Sequence, residues 1–225
     1  MLHIESVLDA AALERMRAAL NAAEWIDGRA TAGPQSARAK ANRQLAETSP
    51  LAHTLGEEVL AAVRALLLFQ AAAIPERLSP PLFSRYEAGE TFGAHIDNAF
   101  RPLADGTRIR TDLSATLFLS DPETYDGGAL VVEDAGGERR ARPAAGALVL
   151  YPSTSVHRVE PVTRGVRLAA VFWVQSLVAD EGRRSILFDL DLSLGRLRDR
   201  VGDDDPAIVT LTGCYHNLLR RWGAA

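Results

Sequence analysis

Apolar positions recur at helical spacing twice before residue 75, and then the period changes. Leu13, Met16, Leu20 and Trp25 predict a helix over 9–25, with Asp9 placed to cap it. Residues 28–50 are rich in Gly, Ala, Ser and Asn without a period and read as a long connection holding strand fragments. Leu55, Val59, Ala62, Val63 and Leu66 mark one face of a second helix over 51–69, closed by Pro75 and the Pro80-Pro81 pair. Beyond Pro81 the chain breaks into short apolar or alternating runs separated by Gly, Pro and Asp. Strands are expected at 82–87, 91–96, 113–119, 129–133, 138–142, 147–151, 156–159 and 166–175, with Asp126-Gly127-Gly128 as a hairpin turn. Short strands with regular turn signals are the signature of a sandwich or jelly roll. Helical spacing returns after Asp180, in Ile186, Leu187, Leu190, Leu194 and Leu197, and again over 211–222. The expected fold is therefore α+β: a helical segment over 1–79 packing on the core, a jelly-roll β-core over 80–176, and a helical segment over 177–225.

Composition narrows the function classes. The chain has 225 residues, 47% of them hydrophobic, enough for a sizeable core in one domain with appendages. A net charge of -4 provides no broad basic field, so nucleic acid is not expected as a partner. Arg183-Arg184 and Arg220-Arg221 read as solvated or salt-bridged pairs. The beginning of the chain lacks the pattern of a signal peptide, and no apolar run approaches the ~18 residues of a membrane span. Cys214 is the only cysteine, which excludes an intramolecular disulfide, fits a cytoplasmic setting and reads as a small buried hydrophobe.

The chemistry gathers at His95-Ile96-Asp97, His157 and Arg167. Residues two apart on a strand point to the same face, so His95 and Asp97 can converge on one ion. His157 arrives from a distant strand. Two imidazoles and a carboxylate form the facial ligand set of a non-haem Fe(II) site, which leaves positions open for other ligands. Arg167 alternates with Ala169, Val171, Trp173 and Gln175, and an Arg on an apolar strand face needs a partner. That partner is either an internal Asp or Glu or the carboxylate of a bound dicarboxylate, which a guanidinium fork holds bidentately. A zinc hydrolase on a cupin-like jelly roll, or a non-catalytic iron-sensing module, would use the same three ligands but has no need of Arg167. His3, His53 and His216 lack comparable surroundings.

Longer strings carry a resemblance. They are Arg85-Tyr-Glu-Ala-Gly-Glu-Thr-Phe-Gly-Ala-His-Ile-Asp-Asn98, Arg110-Thr-Asp-Leu-Ser-Ala-Thr-Leu-Phe-Leu-Ser120, Tyr125-Asp-Gly-Gly128, Leu150-Tyr-Pro-Ser-Thr-Ser-Val-His157, Pro161-Val-Thr-Arg-Gly165 and Leu211-Thr-Gly-Cys-Tyr-His-Asn-Leu-Leu-Arg-Arg-Trp222, with a further match at Trp25-Ile-Asp-Gly-Arg-Ala-Thr-Ala-Gly33. Together they resemble the PKHD-type Fe(II)/2-oxoglutarate-dependent hydroxylases, bacterial relatives of the prolyl hydroxylases, and in particular members associated with iron uptake. The resemblance implies a double-stranded β-helix, Fe(2+) held by His95, Asp97 and His157, and Arg167 anchoring the distal carboxylate of 2-oxoglutarate. It also implies dioxygen as co-substrate, L-ascorbate as reductant, and hydroxylation of a peptide-like or siderophore-related small molecule or peptide, with release of succinate and carbon dioxide. Beside these four residues, Tyr86 is a candidate for the co-substrate carboxylate or a core aromatic. Asn98 is a candidate to orient Asp97 or to form a turn, and Trp173 either walls the pocket or fills the core. The 98–110 stretch is a candidate lid or a plain surface loop, and the terminal helices could join two copies of the chain.

Overall fold

Two antiparallel sheets face each other; the helices Ala10–Asn21, Pro50–Arg64 and Leu67–Ala73 pack outside the larger one, and the short helix Pro34–Ala39 packs on the smaller. The computed structural model describes residues 1–223 except Ala32 and Ala135. The larger sheet runs in the order Leu2–Ile4, Leu148–Pro152, Leu113–Phe118, Arg167–Ser176, Leu82–Tyr86, Arg43–Gln44 and Ile26–Asp27. Pro75–Leu78 pairs with the far end of Arg167–Ser176. The smaller sheet runs Gly137–Ala141, Leu130–Asp134, His157–Val159, Thr91–His95 and Lys40–Ala41. This is the α+β jelly roll that the spacing of short strands predicts.

The strand Arg167–Ser176 shows how the sequence builds both faces. Leu168, Ala170, Phe172 and Val174 join the core formed with Met16, Leu20, Leu55, Val59, Val63 and Phe69 of the helices. Arg167, Val171 and Trp173 point the other way, into the space between the sheets. Period-two alternation thus places an apolar face on the helices and a chemical face inside the barrel.

The helix Ala10–Asn21 is capped by Asp9, whose carboxylate accepts from Ala12 N at 2.7 Å. It ends short of Trp25. The expected second helix is two, Pro50–Arg64 and Leu67–Ala73. A straight continuation cannot bury every member of the run Leu66 to Phe69. The break leaves Leu67 85% exposed and turns Phe69 against Phe172, with ring centroids 6.5 Å apart. The first 79 residues are also not purely helical. They supply Leu2–Ile4, Ile26–Asp27, Lys40–Ala41, Arg43–Gln44 and Pro75–Leu78 to the sheets, pieces too short to show a period.

Asp126-Gly127-Gly128 is not a hairpin turn. Tyr125–Gly127 pairs with Val162–Gly165 through a bulge at Asp126/Gly127, and both glycines take positive φ. The terminal helices Glu181–Val201 and Pro206–Trp222 pack through Leu187, Tyr215, Leu218, Leu219 and Trp222 against Ile74 and Val178. Two expectations fail here. Arg184 is buried and donates to the carbonyl of Val178 at 2.8 Å, tying the helix to the end of the sheet. Cys214 is exposed, because Ile208, Tyr215, Leu219 and Trp222 take the inward face of its helix.

Candidate active site

His95 ends the strand Thr91–His95 and is paired directly with His157 on the neighbouring strand. Asp97 follows two residues later. One ligand atom from each of His95, Asp97 and His157 lies within 4.8 Å of the others, a cluster able to hold a metal ion. Both imidazoles are set by the same local device. His95 Nδ1 lies 2.8 Å from the carbonyl of Gly93, and His157 Nδ1 lies 3.1 Å from that of Ser155. A carbonyl only accepts, so each Nδ1 carries the proton and each Nε2 keeps its lone pair for the cluster. Burial, then the neighbouring His157, pushes the His95 pKa down to about 4, so its ring is neutral at physiological pH. Phe92 stacks on His95 with centroids 3.6 Å apart, and Tyr151 meets His157 edge-on at 5.0 Å.

Asp97 is oriented from the opposite sheet. Ser114 on Leu113–Phe118 donates to Asp97 Oδ2 at 2.5 Å, and the Ser153 hydroxyl lies 2.7 Å from that of Ser114. With its one proton given to Asp97, Ser114 accepts from Ser153. Orienting Asp97 is one of the two roles for which Asn98 is a candidate, the other being a turn. The Asn98 side chain instead lies beside Gly33, while its carbonyl accepts from Thr111.

A cavity of ≈ 60 Å³ leads from His95, Asp97 and His157 to Arg167. Arg167 is 1% exposed, and its Nε and Nη2 have no hydrogen-bond partner among the described residues. The expected alternative of a structural ion pair with an internal carboxylate is not what the structure holds: Arg167 contacts the rings of Phe118 and Tyr86, at 4.9 and 5.2 Å from their centroids. Tyr86 sits opposite Arg167 in the strand register, is buried, and lines the same cavity. Burial raises its phenol pKa above the ordinary value. Gly128 makes room for the guanidinium stem. A Cβ there would stand 3.0 Å from Arg167 Cδ and 2.9 Å from Val162 Cγ2.

A wider pocket of ≈ 470 Å³ opens outward from His95 and Asp97. Trp173 lines both cavities. The 98–110 stretch is a hairpin of Phe100–Pro102 and Arg108–Arg110, whose first strand lines the pocket mouth. Arg101 of that strand pairs with Glu47 at 2.6 Å and lies 4.8 Å from the Trp173 ring centroid.

Motif reading missed Ser114, Ser153 and Lys40. Ser114 is an ordinary strand serine, Ser153 lies in the turn after Leu148–Pro152, and their partners are distant in sequence. Lys40 had a compositional signal: of 25 Lys and Arg residues, it is the only lysine. It is 6% exposed and lines both cavities. Burial, then Arg101, lowers its pKa to about 8. His3, His53 and His216 lie outside this cluster.

The chain is similar to known proteins along its whole length. Residues 81–175 match the 2OG-Fe(II) oxygenase superfamily and residues 181–224 match the PKHD-type hydroxylase C-terminal domain. A PKHD-type hydroxylase of Burkholderia lata is 55% identical over the whole of both chains. Among solved structures, a prolyl-4-hydroxylase of Pseudomonas putida aligns with a TM-score of 0.52 at 23% identity, over 78% of this chain and 91% of its own. The viral collagen prolyl hydroxylase of Paramecium Bursaria Chlorella virus-1, in its 2OG complex, aligns with a TM-score of 0.53 at 15% identity, over 78% and 94%. The structural likenesses establish the shared jelly roll, and the full-length relative establishes the family. The chain belongs to the PKHD-type hydroxylases, Fe(II)- and 2-oxoglutarate-dependent dioxygenases of the 2OG-Fe(II) oxygenase superfamily.

Proposed function

We propose that the enzyme hydroxylates a C–H bond of a peptide-like or siderophore-related molecule, consuming dioxygen and 2-oxoglutarate and releasing succinate and carbon dioxide. In this reading His95, Asp97 and His157 hold Fe(II), Arg167 holds the distal carboxylate of 2-oxoglutarate, and Tyr86 is a second contact for that carboxylate. The observation that carries it is Arg167: a fully buried guanidinium with free N–H donors, at the end of a cavity that begins at the three ligands. A buried, unpaired cation costs several kcal/mol. A dicarboxylate reaching from the metal cluster to Arg167 removes that cost and receives charge-assisted hydrogen bonds. A hydrolytic zinc site leaves Arg167 without such a partner.

When bound, iron supplies the activation of dioxygen, chemistry that no side chain provides. The protein's own part is geometric. The Gly93 and Ser155 carbonyls fix the imidazoles, and Ser114 fixes the carboxylate. Phe92, Tyr151 and Trp173 keep the chamber largely apolar. L-ascorbate is expected to return iron to the ferrous state after unproductive turnover, a proposal that rests on the sequence resemblance. Among the described residues no helix is long and apolar enough to cross a membrane.

The test is succinate formation from 2-oxoglutarate in air by protein loaded with Fe(II), with and without peptides, amino acids and siderophores. Stimulated succinate release with a product heavier by one oxygen atom supports the proposal. A metal-loaded protein that forms no succinate under any condition contradicts it.

A further inference from the structure

Lys40 stands at the junction of the inner cavity and the outer pocket, sharing both with Leu82, Phe92, His95, Asp97 and Trp173. Its strand, Lys40–Ala41, pairs with the strand of His95. The ammonium donates to Thr31 Oγ1 at 3.1 Å and lies 5.2 Å from the Phe92 ring centroid. Thr31 in turn hydrogen-bonds Gln44, and Gln44 Nε2 donates to Ser84 Oγ at 3.3 Å, so the lysine is held by a polar chain. An ammonium has three N–H donors, and Thr31 takes one. Among the described residues no carboxylate lies within salt-bridge distance of Lys40. Its neighbour Arg101 is already paired with Glu47.

Charge completes the argument. In the proposed loaded site, the two charges of Fe(II) and the one of Arg167 are balanced by Asp97 and the two carboxylates of 2-oxoglutarate. Arg101 and Glu47 balance each other. The Lys40 charge is left over, desolvated and beside the place a substrate must occupy. Ile96 and Phe100 line the outer pocket and are exposed, offering an apolar surface next to this cation.

We propose that Lys40 is the recognition site for a carboxylate on the substrate, and that the substrate class is an acid whose charged group adjoins an apolar body. The carboxylate pairs with Lys40, the apolar part lies on Ile96 and Phe100, and the neighbouring C–H bond is directed at the metal cluster. The inference rests on the oxygenase reading of the site, which places the reacting bond there.

Because Lys40 is the only lysine, protein grown with isotope-labelled lysine has one lysine side chain to observe by NMR. The protein is loaded with Zn(II), a diamagnetic stand-in for iron, and with saturating 2-oxoglutarate. Acetate, N-acetylglycine and N-acetylleucine are then each compared with the corresponding amide. At least one acid is expected to move the Lys40 signals and raise its titration midpoint by about one pH unit or more, because an opposite charge favours the protonated form. The amides are expected to leave it in place. Lys40→Met is expected to weaken binding of that acid at least about tenfold with 2-oxoglutarate affinity unchanged, and Lys40→Arg to retain part of the preference for acid over amide. Equal behaviour of acids and amides, or no response to any of the three acids, overturns the proposal. So does a Lys40 response to 2-oxoglutarate alone coupled with weaker 2-oxoglutarate binding in Lys40→Met, which assigns the lysine to the co-substrate. The two readings fail separately. Loss of 2-oxoglutarate binding with an intact acid response sinks only the oxygenase assignment, and normal 2-oxoglutarate binding without an acid response sinks only the role of Lys40.

Discussion

A guanidinium withdrawn from water without a carboxylate destabilises the fold that holds it. Arg167→Met is therefore expected to raise the melting temperature of the cofactor-free protein. In the same variant 2-oxoglutarate affinity should fall about 100-fold, the loss expected for a buried charged hydrogen-bond partner, while Fe(II) affinity changes little. Calorimetry with each ligand separates the two effects, and equal loss of both ligands would mean that Arg167 only supports the fold. Ser114→Ala removes the hydroxyl on Asp97 and should weaken metal binding about 10–100-fold, read by competition with a metal chelator. Lys40 makes a pH-dependent contribution. Its folded pKa of about 8 lies below the unfolded value of 10.5, so the folded protein binds fewer protons between them. The penalty is fully present below pH 8 and is relieved as pH rises toward 10.5, a span worth roughly 3 kcal/mol. Lys40→Met should melt higher than the wild type at pH 7, and the difference should shrink as pH rises through that window. At this scale the ligand triad and Arg167 are legible in the sequence because their side chains are costly to bury without a purpose. Ser114 is not legible, since a serine on a strand is cheap to bury and its partner lies across the barrel. Lys40 sits in a segment without periodicity, where only its singularity among arginines marks it.

Elements carry the site because each face of a strand does one job. In Arg167–Ser176 the alternation is visible in the sequence, and the structure separates Leu168, Ala170, Phe172 and Val174 from Arg167, Val171 and Trp173 as that alternation predicts. The strands that carry His95 and His157 are legible from the turn signals that bound them. The short strands before residue 80 are not, because two or three residues display no period and gain their pairing only from the finished sheet. Paired glycines after Asp usually turn a hairpin, but here they form a bulge in which Gly127 passes close to the Pro161 carbonyl and Gly128 passes over the Arg167 stem. That gives the element a test. Gly128 has φ +61°, and an added Cβ meets the Arg167 side chain. Gly128→Ala should cost about 1–2 kcal/mol through the left-handed backbone and also weaken 2-oxoglutarate binding. Gly89→Ala, at φ +88° with nothing within 4 Å, should strain the backbone and leave that binding intact. Equal 2-oxoglutarate affinity in both variants would detach Gly128 from the site.

Across the whole molecule, the metal cluster belongs to the smaller sheet and the anchor to the larger. His95 and His157 are on one side, Arg167 and Ser114 on the other. The separation of the sheets thus sets the reach between cluster and guanidinium, and the helices packed on Leu168 to Val174 hold the larger sheet in place. The jelly roll was legible because turn signals punctuate its strands. The facing of the two sheets, which lets Ser114 reach Asp97, is a tertiary fact that no local pattern encodes. The claim that joins these levels is that one small molecule spans from the His95, Asp97 and His157 cluster to Arg167. Anaerobic titration of the metal-free protein with Fe(II) and then 2-oxoglutarate tests it most directly. The account predicts a weak visible charge-transfer band that saturates with one equivalent of each, is lost in His157→Ala, and requires far more 2-oxoglutarate in Arg167→Ala. No band in the wild type, or a band with unchanged 2-oxoglutarate dependence in Arg167→Ala, would contradict it.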